Sequence, residues 1–174
     1  MIPMRPLLLI ASGLCALLML GGMWGYTYED SMTDIPVPPG LNEVGFAESP
    51  LTESAIPSAL ISAELTISWD ENVWLGLITE EEYERCSPNS LAMSDTCKPD
   101  STNFAAGGPS TGDEKTFTYE ISDEVYYPVD GQKSGGLVQS VDVEYSVHVT
   151  LAWPVIFFLG LLGTGLQVLA QRMH

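Results

Sequence analysis

The chain has 174 residues, 45% of them hydrophobic, with 23 Asp or Glu against six Lys or Arg and a formal net charge of -17. That length suits a single domain, and because charged residues make up only 17%, the acidity reflects missing Lys and Arg more than surplus acid. A basic surface for nucleic acid is excluded.

The first apolar run, 7–24, carries no charge and follows Arg5. Its 18 residues match the length needed to cross a hydrocarbon core, so it reads as an amino-terminal membrane helix over 1–25. A cleaved signal peptide competes with that reading, but the run is longer than the usual apolar core of such a peptide and no Ala-x-Ala-like site follows it. Cys15 within it reads as a small apolar helix residue.

Residues 26–59 are rich in Pro, Ser and Glu without sustained periodicity. They are expected to form an extended tether. From Ile61 the pattern changes: Ile61, Ala63, Leu65, Ile67 and Trp69 alternate with polar residues, which predicts a half-buried strand. Asp70-Glu71-Asn72 then reads as a turn, and the apolar run 73–78 as a strand covered on both faces; together they suggest a hairpin.

Thr79 and Glu82 are spaced as a capping box for a short helix ending near Cys86. The acids at 80–82 also admit a cation site, though solvated carboxylates at a helix start are far commoner. Cys86 and Cys97 are expected to form a disulfide; two Cys without a nearby His supply at most half a zinc site. The stretch 87–113 is dense in Ser, Pro, Gly, Thr and Asp, and a loop of that length is either a contact surface or disordered.

Phe117, Tyr119 and Ile121 alternate with polar residues, Val125 to Val129 form a further strand before the turn Asp130-Gly131, and Val141, Val143, Tyr145, Val147 and Val149 mark the clearest strand. The expected fold is mainly β: a small antiparallel, jelly-roll-like β-sandwich over 60–150 between two transmembrane helices. The second apolar run, 149–170, places a carboxyl-terminal helix at 151–170, entered from the last strand without a linker and followed by a tail at 171–174. Trp24 and Trp153 fall where an aromatic belt would lie, and Gly160, Gly163, Thr164 and Gly165 give the second helix a small-residue face.

Orientation follows from Arg5 and Arg172, which mark both termini as cytoplasmic, because no Lys or Arg occurs over 26–84 or 134–150. The central domain is then extracytoplasmic at a cell membrane, an oxidising setting that agrees with the disulfide.

The segment Ile78-Thr79-Glu80-Glu81-Glu82-Tyr83 after a Val-Trp-Leu-Gly-Leu strand, then Phe117-Thr118-Tyr119-Glu120, then 125–130, then a valine-alternating strand entering a membrane helix, resembles the GOLD (Golgi dynamics) domain. The resemblance covers 60–150. It implies an extracytoplasmic β-sandwich with a protein-binding role and no enzymatic activity. The chain departs from the receptors of that family by lacking a coiled coil before the membrane, by keeping an amino-terminal helix and by its four-residue tail.

No catalytic set is apparent. His148 is the sole histidine of the central region, no Ser-His-Asp, phosphate loop or metalloprotease motif occurs, and the neighbouring acids Asp123, Glu124 and Asp130 carry little information among so many. The expected function is a non-enzymatic two-pass membrane protein, without cofactor or metal, presenting an acidic domain to another membrane protein or to itself. The alternative is an extracytoplasmic sensor of a cation or small ligand, using the acidic rim or the loop 87–113.

Overall fold

The computed structural model describes residues 4–172 except 48, 52–56, 87, 90–92, 95, 112–113, 123 and 134–137. Two apolar helices, α1 (Met4–Trp24) and α3 (Trp153–Arg172), bracket eight strands. The strands are β1 (Tyr26–Pro36), β2 (Gly45–Phe46), β3 (Ile61–Trp69), β4 (Val73–Thr79), β5 (Ala106–Gly107), β6 (Thr116–Ile121), β7 (Tyr126–Gln132) and β8 (Ser140–Leu151). A short helix, α2 (Glu80–Cys86), follows β4.

The strands form two four-stranded sheets, ordered β1-β8-β3-β6 and β2-β7-β4-β5, with every pairing antiparallel. The pairing is nested: β1 with β8, β2 with β7, β3 with β6 and β4 with β5. Outside them α1 packs on α3, so the whole chain is one long hairpin, rolled up, with α2 and the following loop at its tip.

The alternating strands build the core as their pattern requires. Ala63, Leu65, Ile67 and Trp69 of β3 and Val141 and Val143 of β8 meet Val73, Leu75 and Leu77 of β4 and Tyr126 of β7 in one buried cluster between the sheets. The continuous apolar run of β4 is explained by a second cluster on its other face, where Trp74 and Ile78 join Val44, Phe46, Val129 and both cysteines of 86 and 97. A strand with both faces covered can be apolar throughout.

The structure differs from the sequence reading at three places. First, β3 and β4 are not a hairpin. β3 pairs with β6 and β8 while β4 pairs with β5 and β7, so Asp70-Glu71-Asn72 carries the chain from one sheet to the other. The two strands thereby face each other across the core between the sheets.

Second, 26–47 is not a slack tether, and 48 and 52–56 of the segment expected to be one lie outside the described residues. β1 lies along β8 from Tyr26 opposite Val149 to Pro36 opposite Ser140, and Val37, Val44, Phe46 and Ala47 are buried. The β domain therefore begins at Tyr26 and ends at Leu151, where 60–150 was expected. An edge strand exposed at most positions needs no apolar alternation, because its hydrogen bonds to the neighbouring strand hold it.

Third, Asp130-Gly131 is no turn. Both lie inside β7, opposite Leu75 and Trp74. A Cβ at Gly131 would stand 2.3 Å from the Trp74 indole, so the glycine serves close packing.

The helices run antiparallel. The Ser12 hydroxyl donates to the Gly163 carbonyl at 2.9 Å, and a Cβ at Gly163 would lie 3.3 Å from that of Cys15. Near their other end a Cβ at Gly22 would strike Leu151. Arg5 and Arg172 thus share one end of the pair, while Trp24 and Trp153 share the end beside the sheets. Only Gly25, at φ 72°, separates α1 from β1, and only Ala152 separates β8 from α3.

Candidate functional site

The residues singled out at the end of β4 converge on one buried knot. The Thr79 hydroxyl accepts the Glu82 amide at 3.4 Å, as a cap should, but the Glu82 carboxylate does not reach back. It is instead gripped by the Arg85 guanidinium and receives the Asn103 amide at 2.7 Å and the Asn103 side chain at 3.3 Å. Arg85 continues to the Ser101 carbonyl at 2.9 Å, pinning the far side of the loop. The Arg85 hydrogen bonds, helped by Asn103, hold the Glu82 carboxyl down at about 2 against the opposing effect of burial.

Cys86, the last residue of α2, and Cys97 are joined in a disulfide with Cα atoms 5.3 Å apart, and both are buried. Glu82 lies close enough to the two sulfurs for the trio to resemble a metal-ligand set. The disulfide occupies both thiols, and Arg85 and Asn103 occupy the carboxylate, so the cluster is a structural clasp. In α2, Tyr83 stacks on Tyr127 at 3.9 Å, and in the described part of the loop Phe104 packs edge-on against Trp74 at 5.6 Å. This part of 87–113 covers the second core. Residues 87, 90–92, 95 and 112–113 of that loop lie outside the described residues.

Of the acids considered for acid-base work, Glu124 and Asp130 do not form a pair. Asp123 lies outside the described residues, Glu124 is exposed, and Asp130 is fully buried on the core side of β7. Neither oxygen of Asp130 has a hydrogen-bond partner, and a Cβ on Gly45 would stand 2.4 Å from its Oδ1. Burial pushes its carboxyl up to about 8, so it is neutral at ordinary pH. The Asp-Gly pair imitates a turn in sequence, which hides this residue from pattern reading.

The open side of the first sheet is a polar surface. His148 Nδ1 meets Thr27 Oγ1 at 2.9 Å, Ser62 donates to Glu120 at 3.2 Å, and Thr66 faces Thr118 at 3.3 Å. A depression of about 450 Å³ on this sheet is lined by Glu29, Ser31, Thr66, Ser68, Glu144 and Ser146, among others. At its rim Asp30 accepts the Tyr28 hydroxyl at 2.6 Å and the Ser31 amide at 2.8 Å, which lower its pKa and keep it ionised. Sequence reasoning missed Glu29 and Asp30 because they were assigned to a tether.

Neither a family model nor a curated protein matches the chain, so the GOLD resemblance has no match behind it. Solved structures give weak likenesses. The pre-peptidase C-terminal domain of a collagenase from Bacillus anthracis is 13% identical, covering 72% of this chain and 89% of its own, at a TM-score of 0.27. A periplasmic inhibitor of g-type lysozyme from Aeromonas hydrophila is 11% identical, covering 73% and 85%, at 0.30. The structure of tomato aspermy virus is 9% identical, covering 71% and 77%, at 0.36.

Proposed function

We propose that this chain is a non-enzymatic, two-pass membrane protein whose acidic β domain, wound as a jelly roll and held outside the cytoplasm, assembles with another membrane protein. The observation that carries this reading is the junction: a pair of apolar helices passes into a pair of bonded strands with a single residue on each side. At 1.5 Å per residue α1 and α3 are each about 30 Å long, the thickness of a hydrocarbon core. Apart from Thr164 and Gln167, their large outward side chains, from Leu7 to Leu20 and from Phe157 to Leu169, are apolar and exposed, which suits lipid and not water. Exposed Trp24 and Trp153 at one end and arginines at the other fit an interfacial belt and a cytoplasmic side.

A domain fixed to the bilayer by two strands presents its faces at a set angle, which favours recognition of neighbours in the same membrane. The test is gentle detergent extraction of the native protein with cross-linking and mass spectrometry, combined with impermeant labelling of single cysteines placed in the β domain. A stoichiometric membrane partner and labelling from outside intact cells are expected. Recovery of the chain alone, or labelling only after lysis, overturns the reading.

A further inference from the structure

A strand at the edge of a sheet exposes a row of unpaired amides and carbonyls, and natural edges are kept short, bulged or guarded by lysine and proline. β1 is such an edge, bonded to β8 on one side and, among the described residues, to no strand on the other. Its register with β8 is unbroken from Tyr26 to Met32; an irregularity then precedes Ile35, with Asp34 at φ 58°. The regular part is thus seven residues long, enough for a ladder. It carries Glu29 and Asp30, and no strand of this sheet contains a Lys or Arg.

The depression lined by Glu29, Ser31 and Glu144 lies beside this edge. The depression runs from β1 across β8 to β3, and a strand added to β1 would set every second side chain at its margin, beside Glu29 and Ser31. Since β1 leaves α1 through one residue, the open ladder occupies roughly the first 23 Å beyond the helix, at 3.3 Å per residue.

We propose that the open edge of β1, over 26–32, docks an extended, Lys- or Arg-bearing juxtamembrane segment of another membrane protein, which joins the sheet as an antiparallel strand. The proposal rests on the membrane-anchored reading above. Three observations choose this occupant. The acid-lined edge selects a basic strand. Its height selects a segment near the bilayer. Its direction, away from the helices, makes an antiparallel partner descend toward the membrane as β8 does, ready to enter a helix of its own. A second copy of the chain fits poorly, because its β1 runs the same way in the same bilayer and brings acid against acid.

The test uses the full chain in phosphatidylcholine vesicles at physiological salt, with three fluorescent heptapeptides as probes. One alternates Lys and Val, one alternates Glu and Val, and one is the Lys peptide N-methylated at alternate backbone nitrogens so that it keeps its charge and loses the ladder. Anisotropy measures binding and amide hydrogen exchange locates it. The Lys peptide is expected to bind and to slow exchange within 26–32, the other two to fail, and Glu29→Lys to weaken binding about tenfold, the size of one close charge contact. Glu29→Gln, which is milder to the fold, weakens it less. Equal binding of the N-methylated peptide, protection confined to other strands, or no binding of the Lys peptide overturns the proposal. Alkaline carbonate washing of the same vesicles separates the two readings: release of the chain refutes membrane anchoring, while a retained chain with an unprotected β1 refutes only the docking edge.

Discussion

Replacing Asp130 by asparagine removes the capacity to ionise from a core that cannot accommodate the charge, and the effect is worked most clearly through pH. In the folded chain burial raises this carboxyl to about 8, against roughly 3.9 for an unfolded aspartate. Between those values the folded state holds a proton that the unfolded state has released, so stability falls as pH rises and levels off above the folded value. A shift of that size corresponds to roughly 5 kcal/mol across the full window, or about 2 to 3 kcal/mol between pH 5.5 and 7.5. Asp130→Asn cannot ionise and lacks this slope. Its buried amide keeps a polar cost of about 1 to 3 kcal/mol, so the two proteins should be of similar stability near pH 5, and the variant more stable at pH 8. Denaturant unfolding of the full chain in micelles, followed by the fluorescence of buried Trp69 and Trp74, measures both curves. Parallel pH profiles would show that Asp130 has a partner or solvent after all, and would refute the argument.

Other consequences follow from the same geometry. Reducing the Cys86–Cys97 bond, or replacing both residues by serine, should cost about 2 to 4 kcal/mol, read as a lower unfolding midpoint of the reduced or serine chain against the oxidised one. Glu82→Gln removes a carboxylate held at about 2; because that value is depressed, its stabilisation is present above about pH 4.5 and lost as pH falls toward 2. The variant should be less stable at pH 7 by about 1 to 3 kcal/mol and flatter in acid, as seen by thermal unfolding from pH 2.5 to 7. Gly163→Leu places a branched side chain where even a Cβ sits 3.3 Å from Cys15, so it should separate α1 from α3. Disulfide cross-linking between cysteines introduced at Met19 and Gly160, which face each other across the helix pair, should succeed in the otherwise unchanged chain and fail in the same detergent once Gly163→Leu is added.

Much of the architecture is legible where burial imposes a period. β3 and β8 announce themselves because every second residue enters the core, and β4 because both its faces are covered. The helices show in length and hydropathy alone. β1 was hidden for the opposite reason: at a sheet edge its hydrogen bonds come from β8 and its side chains mostly face solvent, so nothing in 26–36 alternates strongly. The crossing at Asp70-Glu71-Asn72 was hidden because a turn between two strands has the same local chemistry whether the strands pair or part. The clasp was half visible. Thr79, Glu82 and the cysteines were marked by spacing, whereas Arg85 and Asn103 are brought to Glu82 only by the loop's return. Asp130 required the register of β7, which no short motif contains.

The nesting of every pair, from the tip outward to the two helices, bears on how the chain closes. α1 and α3 are the most distant segments in sequence, yet β1 can meet β8 only when they are side by side. Closing a flexible loop of this length costs roughly 4 kcal/mol in chain entropy at 25 °C. On the membrane-anchored reading proposed above, a bilayer that confines both helices to one plane would bear much of that cost before the sheets form. It would act as a staple at the open end of the hairpin, opposite the disulfide at its tip, and a fragment cut free at Gly25 and Ala152 would have to zip its outermost strands from the inside alone.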